Sequence, residues 1–128
     1  VRTDDDRPTW QVEACPPWCV VLHAEDDHES DRVHVSTSMS VHARQLLGSP
    51  GGALPPDVEV EQAGPPGTPE AVDRTAHADL AVAVHRRDGA RTTWVYAGDG
   101  AVQHLELTAE SWGRLVPAVD RALELARA

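Results

Sequence analysis

The chain has no Phe, no Ile, no Lys and no Asn among its 128 residues, and its aromatic residues are four Trp and one Tyr. An interior of stacked aromatic rings is therefore excluded, and Val, Leu and Ala must fill whatever core forms. The four missing residue types are those with the most A- and T-rich codons, which points to a GC-rich genome. No apolar run approaches the roughly 20 residues needed to span a bilayer. The first residues, VRTDDDRPTW, are not a basic stretch followed by an apolar one. A cytoplasmic protein without membrane association is the resulting expectation.

Basic charge is also scarce. Eleven Arg face 21 Asp and Glu, a net charge of −10, so direct nucleic-acid binding is disfavoured because phosphates would be repelled at long range. The excess is uneven, with nine acidic residues against three Arg in residues 1–34. Hydrophobic residues at 41% and charged residues at 25% place the chain among globular proteins. Its length suits one domain over 1–128.

Changes of texture divide that domain. Residues 1–9 read as a loose acidic arm and 10–34 as a metal-binding knuckle; 35–107 read as a sheet and 108–127 as a helix. From Val33 to Val41 apolar and polar residues alternate, which predicts a half-buried strand with Val33, Val35, Thr37, Met39 and Val41 on one face. Loops at 48–56 and 64–69 bracket a short strand at 57–62. Runs at 79–86, 91–97 and 101–107, separated by RDGA and GDG, predict an antiparallel meander. Beyond Thr108, a candidate N-cap, Trp112, Leu115, Val116, Val119, Leu123 and Ala126 recur at helical spacing. Pro117 interrupts that helix and predicts a bend near 113–117. The fold class expected is α+β: a knuckle, a β-meander of about five strands, and a C-terminal helix packed on the sheet.

Both cysteines and three of the seven histidines lie between Ala14 and Ser36. Cys15, Cys19 and His23 follow a C-x3-C-x3-H spacing, with His28 and His34 beyond. Two thiolates and two imidazoles are the donor set of a tetrahedral zinc site. Pro16 and Pro17 stiffen the loop, and a helical turn after it would put Cys19 and His23 on one face. The fourth ligand lies between His28, in a hydrated acidic loop, and His34, which a strand would hold fixed; rigidity favours His34. A local disulfide, a redox pair, unliganded thiols and an iron–sulfur cluster are the competing uses of these cysteines.

CPPWC, a His four residues on, and DRVHVS together resemble the amino-terminal signature of an uncharacterised family of small actinobacterial proteins, in which a CPxWC motif precedes two histidines. The resemblance implies Cys15, Cys19, His23 and His34 as the ligand set, leaves His28 outside it, and carries no role.

Three function classes follow. The first is a zinc-stabilised protein-interaction or regulatory module with an acidic surface for a protein partner, alone or as a homodimer. The second is an acidic nucleic-acid mimic that blocks a DNA- or RNA-binding protein. The third is a zinc enzyme with an open coordination position and Glu25 or Asp31 as base. A closed four-ligand shell favours the module over the enzyme, and no catalytic residue stands out: no G-x-S-x-G, P-loop or H-E-x-x-H is present.

Overall fold

The computed structural model describes residues 7–47, 61–62, 65, 67 and 74–128. Residues 1–6 of the predicted arm, the loop at 48–56, most of the loop at 64–69 and the first part of the strand at 57–62 lie outside them. The elements are β1 (Val33–Val35), β2 (Met39–Leu46), β3 (Glu61–Gln62), β4 (Arg74–Arg87), β5 (Trp94–Gly98), β6 (His104–Thr108) and α1 (Ala109–Ala126), with a 3-10 turn at Glu29–Asp31. The fold is α+β, an antiparallel sheet followed by a C-terminal helix that contacts it. Five strands have three residues or more, and β3 adds two. Strand order is β1–β4–β5–β6, with β2 and β3 also paired to β4.

The single strand predicted over 33–41 is two strands. Val35 stands opposite His85 and Met39 opposite Val82, so residues 36–38 face only Ala83 and Val84. An extra residue on one side of a ladder is a β-bulge, and a one-residue slip exchanges the faces of a strand. The alternation from Val33 to Val41 therefore does not continue on one face. Ser36 pins the break, since its N–H donates to the Val84 carbonyl and its Oγ accepts from the Val84 N–H, both at 2.9 Å.

Two compact units share the chain. One comprises Met39–Val82 and Ala97–Leu105. Here β2 pairs with 75–82, and Leu47 and Ala76, 1% and 4% exposed, are the buried hydrophobic residues among those described. The Leu47 N–H donates to the Arg74 carbonyl at 2.7 Å, which closes the end of this ladder. The GDG turn is organised by Asp99, whose Oδ1 accepts from the N–H groups of Ala101, Val102 and Gln103 at 2.8, 2.9 and 3.1 Å. Its Oδ2 accepts from Gln45 Nε2 at 3.0 Å. Gly100, at φ +77°, takes the left-handed position that a side chain would strain.

The other unit comprises Val1–Ser38, Ala83–Tyr96 and Glu106–Ala128. Thr108 caps α1 as expected, its Oγ1 accepting from the Ser111 N–H at 3.1 Å. Trp112 Nε1 donates to the Val95 carbonyl at 2.8 Å and ties the first turns of the helix to β5. Burial is greatest at those turns: Trp112 and Leu115 are half-buried, whereas every residue from Val116 onward is exposed. The apolar stripe predicted along the whole helix is thus best covered at its start. α1 runs through Pro117 as one continuous helix. Pro117 and Gly113 are both exposed, so water can satisfy the carbonyl that loses its helical partner. The last residues of the predicted arm are held in place. Pro8 is buried and the Thr9 N–H donates to Glu25 Oε2 at 2.7 Å.

Partial burial pushes the Asp99 carboxyl up, but hydrogen bonds from Ala101, Gln45, Gln103 and Val102 together hold it below the ordinary Asp value. A depressed folded-state pKa gives stability that is present above about pH 4, the unfolded value, and is lost as pH falls through the folded one. Asp99→Ala should cost about 1 kcal/mol at pH 7, as loss of a backbone cap does. The deficit should shrink when denaturation midpoints are compared at pH 3. A deficit that grows in acid would contradict this role.

Candidate metal centre

The knuckle is built by its prolines and by β1. The Cys19 N–H donates to the Pro16 carbonyl at 3.0 Å, closing a turn over the CPPWC sequence. Cys19 then forms an antiparallel bridge with Ser36, and the Val20 N–H donates to the Val35 carbonyl at 2.9 Å. The helical turn expected after Cys19 does not form, because residues 20–24 have no regular structure. The Val20 N–H is taken up by β1 instead.

The structure brings Cys15, Cys19, His23 and His34 together, one donor atom from each lying within 4.8 Å of the others. Both cysteines are half-buried free thiols, which leaves the local disulfide without support. Cys19 Sγ and His23 Nε2 are 3.7 Å apart. A sulfur and a nitrogen bound tetrahedrally to one zinc, at about 2.3 and 2.0–2.1 Å, would stand roughly 3.6 Å apart. The four residues could hold a metal ion without large movement of this pair.

Both histidine rings are interior, His23 at 5% and His34 at 0% exposure, and they meet edge to face at 4.9 Å. Trp10 packs edge-on against His23 at 5.4 Å, and its Nε1 donates to the Ala24 carbonyl at 2.8 Å. Gln11 Nε2 donates to Cys15 Sγ at 3.3 Å. Trp18 is half-buried between the cysteines, with the Arg86 guanidinium 5.7 Å from its ring centre.

A second layer was not legible in the sequence. His34 Nε2 lies 3.0 Å from Asp88 Oδ1 and 3.4 Å from Glu13 Oε1. The Asp88 carboxylate is only 5% exposed, and its Oδ2 accepts from the Val12 N–H at 2.7 Å. Glu13 accepts from Arg86 Nε and Nη2 at 3.3 and 3.2 Å and from the Gly89 N–H at 3.3 Å. His34 Nδ1, on the other edge of the ring, is buried and has no hydrogen-bond partner. Asp88 belongs to the RDGA turn, and nothing in its local pattern distinguished it from an ordinary turn aspartate.

His28 lies outside the cluster. It is exposed, and its Nδ1 accepts from the Ser30 N–H at 3.2 Å as the cap of the 3-10 turn. Glu25 faces away to Thr9, whose side-chain and backbone hydrogen bonds hold its carboxyl below the ordinary range. Of the remaining histidines, His85 pairs with Glu106 and His42 stacks on His77 at 5.3 Å. Neither pair belongs to a group of metal-binding type among the described residues. No described helix is long and apolar enough to cross a membrane.

Residues 1–128 match the family described as a domain of unknown function, DUF6907, and the chain belongs to that family. No curated protein and no solved structure matches it.

The geometry separates the two histidines that compete for the fourth position. His34→Ala empties a fully buried site and leaves the Asp88 carboxylate without its ring partner, so it should destabilise by about 3 kcal/mol or more. His28→Ala removes an exposed cap and should cost no more than about 1 kcal/mol. Denaturant unfolding of both variants under identical metal conditions decides; equal losses would show that His34 is not a keystone.

Proposed function

We propose that the chain is a small acidic zinc-binding protein that serves as a protein-interaction or regulatory module, with a structural zinc held by Cys15, Cys19, His23 and His34. The observation that carries this reading is what the cysteine-bearing unit buries. Among its described residues the buried ones are Pro8, Gln11, His23 and His34, with no Val, Leu or Trp fully inside. A unit centred on imidazoles lacks the apolar burial that normally offsets chain entropy. Small domains in that position use a metal or disulfides instead.

Zinc suits this donor set better than other ions. Thiolates and imidazoles exclude the hard cations, which require oxygen, and two of each complete a tetrahedral shell. A shell closed by four side chains leaves no position for a substrate or an activated water, which separates this reading from that of a zinc enzyme. When bound, the metal would supply a cross-link, joining the knuckle residues 15–23 to β1 at His34. Two thiols used as ligands suit a reducing compartment, and the cytoplasm is the one proposed.

The interaction role rests on what the same segment leaves outside. Val12, Val20 and Leu22 are 73%, 61% and 87% exposed, beside a loop carrying Glu25, Asp26, Asp27, Glu29 and Asp31. A rigid segment with apolar tips and acidic flanks suits a protein partner with the opposite pattern better than it suits a nucleic acid.

Structural zinc in a small domain contributes on the order of 10 kcal/mol, comparable to the whole net stability of a folded domain. Freshly purified protein should therefore contain close to one zinc per chain by elemental analysis, and Cys19→Ser should lose it. On chelation, amide exchange should accelerate first over residues 10–36, while 75–82 remain protected by their pairing with β2. Metal-free protein with both thiols titratable and residues 10–36 still protected would sink the reading.

A further inference from the structure

We infer that Asp88 is the positioning residue of the metal centre: its carboxylate fixes the proton of His34 on Nε2, and thereby assigns Nδ1 as the coordinating atom. This rests on the zinc reading above and adds the residue that orients one of its ligands.

A carboxylate accepts hydrogen bonds and does not donate them, so the imidazole nitrogen 3.0 Å from Asp88 Oδ1 is the one that carries the proton. In a neutral ring the other nitrogen then presents a lone pair, and here that atom is Nδ1, buried and without a hydrogen-bond partner. A buried acceptor left unpaired carries its full desolvation penalty, which a metal bond at that atom would remove. Metal-ligating histidines usually give their second N–H to a carboxylate or carbonyl, which sets tautomer and ring orientation and raises ligand basicity. The His34 surroundings have that arrangement.

Asp88 is itself fixed on every side. Its Oδ2 takes the Val12 N–H at 2.7 Å, and its own N–H donates to the Arg32 carbonyl at 3.0 Å. The next residue, Gly89, has φ +78°, and a Cβ there would lie 2.6 Å from Val12 Cγ2. The turn after β4 thus places one carboxylate between the segment that precedes Cys15 and the ring of His34. Glu13 is a weaker candidate for the same task. It lies farther from Nε2, at 3.4 Å, and is already engaged by both Arg86 and Gly89.

Two measurements test the assignment. In the zinc-loaded natural chain, long-range nitrogen–proton correlation spectra of the histidine rings should show His34 protonated at Nε2 and metal-bound at Nδ1. This needs no variant and cannot be confused with misfolding. In Asp88→Asn the amide can still accept from Val12, but its NH2 group would face Nε2 and favour the opposite tautomer. Zinc affinity, read by competition with a chromophoric chelator, should fall by about tenfold or more. Glu13→Gln should change it less. Folded Asp88→Asn with affinity within twofold of the parent, or a metal bond at Nε2, overturns the inference while leaving zinc binding intact. A parent chain that takes up no zinc overturns instead the reading on which it rests.

Discussion

A single imidazole ring, that of His34, is the constraint on which the cysteine-bearing unit depends. It is completely buried and sits in the three-residue strand β1. Nε2 meets the carboxylate that follows β4, and the ring packs against His23 of the knuckle. A ring with both edges polar cannot be buried cheaply unless both edges are satisfied. The first edge is satisfied by Asp88. The second, Nδ1, is buried with no hydrogen-bond partner, and a cation bound there would resolve the cost.

The backbone around that ring is arranged to leave little choice. Because Cys19 bridges Ser36 and Val20 bonds Val35, the segment between the second cysteine and His23 is fixed against the strand that carries His34. Two proline residues limit how the first cysteine can be presented. Asp88 and Glu13 accept from Val12, Gly89 and Arg86, so the approach to Cys15 is fixed as well. Donor groups held by pairing and turns would lose little entropy on binding a metal.

Much of this was legible from residue types, and the exceptions have physical reasons. The Cys and His spacing, the turns at RDGA and GDG, and the Thr108 cap are local signals, and the structure follows them. The strand predicted over 33–41 failed because alternation reports pairing on one face but not a bulge, and three serines with one threonine at 36–40 offer no hydrophobic penalty for a slip. The helical turn after Cys19 failed because a spacing of four satisfies both a helix and an extended segment pinned by a neighbouring strand. Asp88 could not be found at all from sequence. Its partner is 54 residues away, and the D-G pair is a sufficient turn signal without it.

The placement of acidic charge follows from the same centre. Two cysteine thiols and the Glu13 and Asp88 carboxylates converge on one pair of histidines, with Arg86 the cation bound directly to Glu13. Thiolates brought together there would repel one another, and a low interior dielectric makes like charges costly. A divalent ion held by the cysteines would neutralise two of those charges, and the hydrogen bonds of Asp88 with Val12 and His34 spread the charge of that carboxylate. Asp26, Glu29 and Asp31, by contrast, are exposed. Water screens those charges, whereas the ring of His34 is shut away from it.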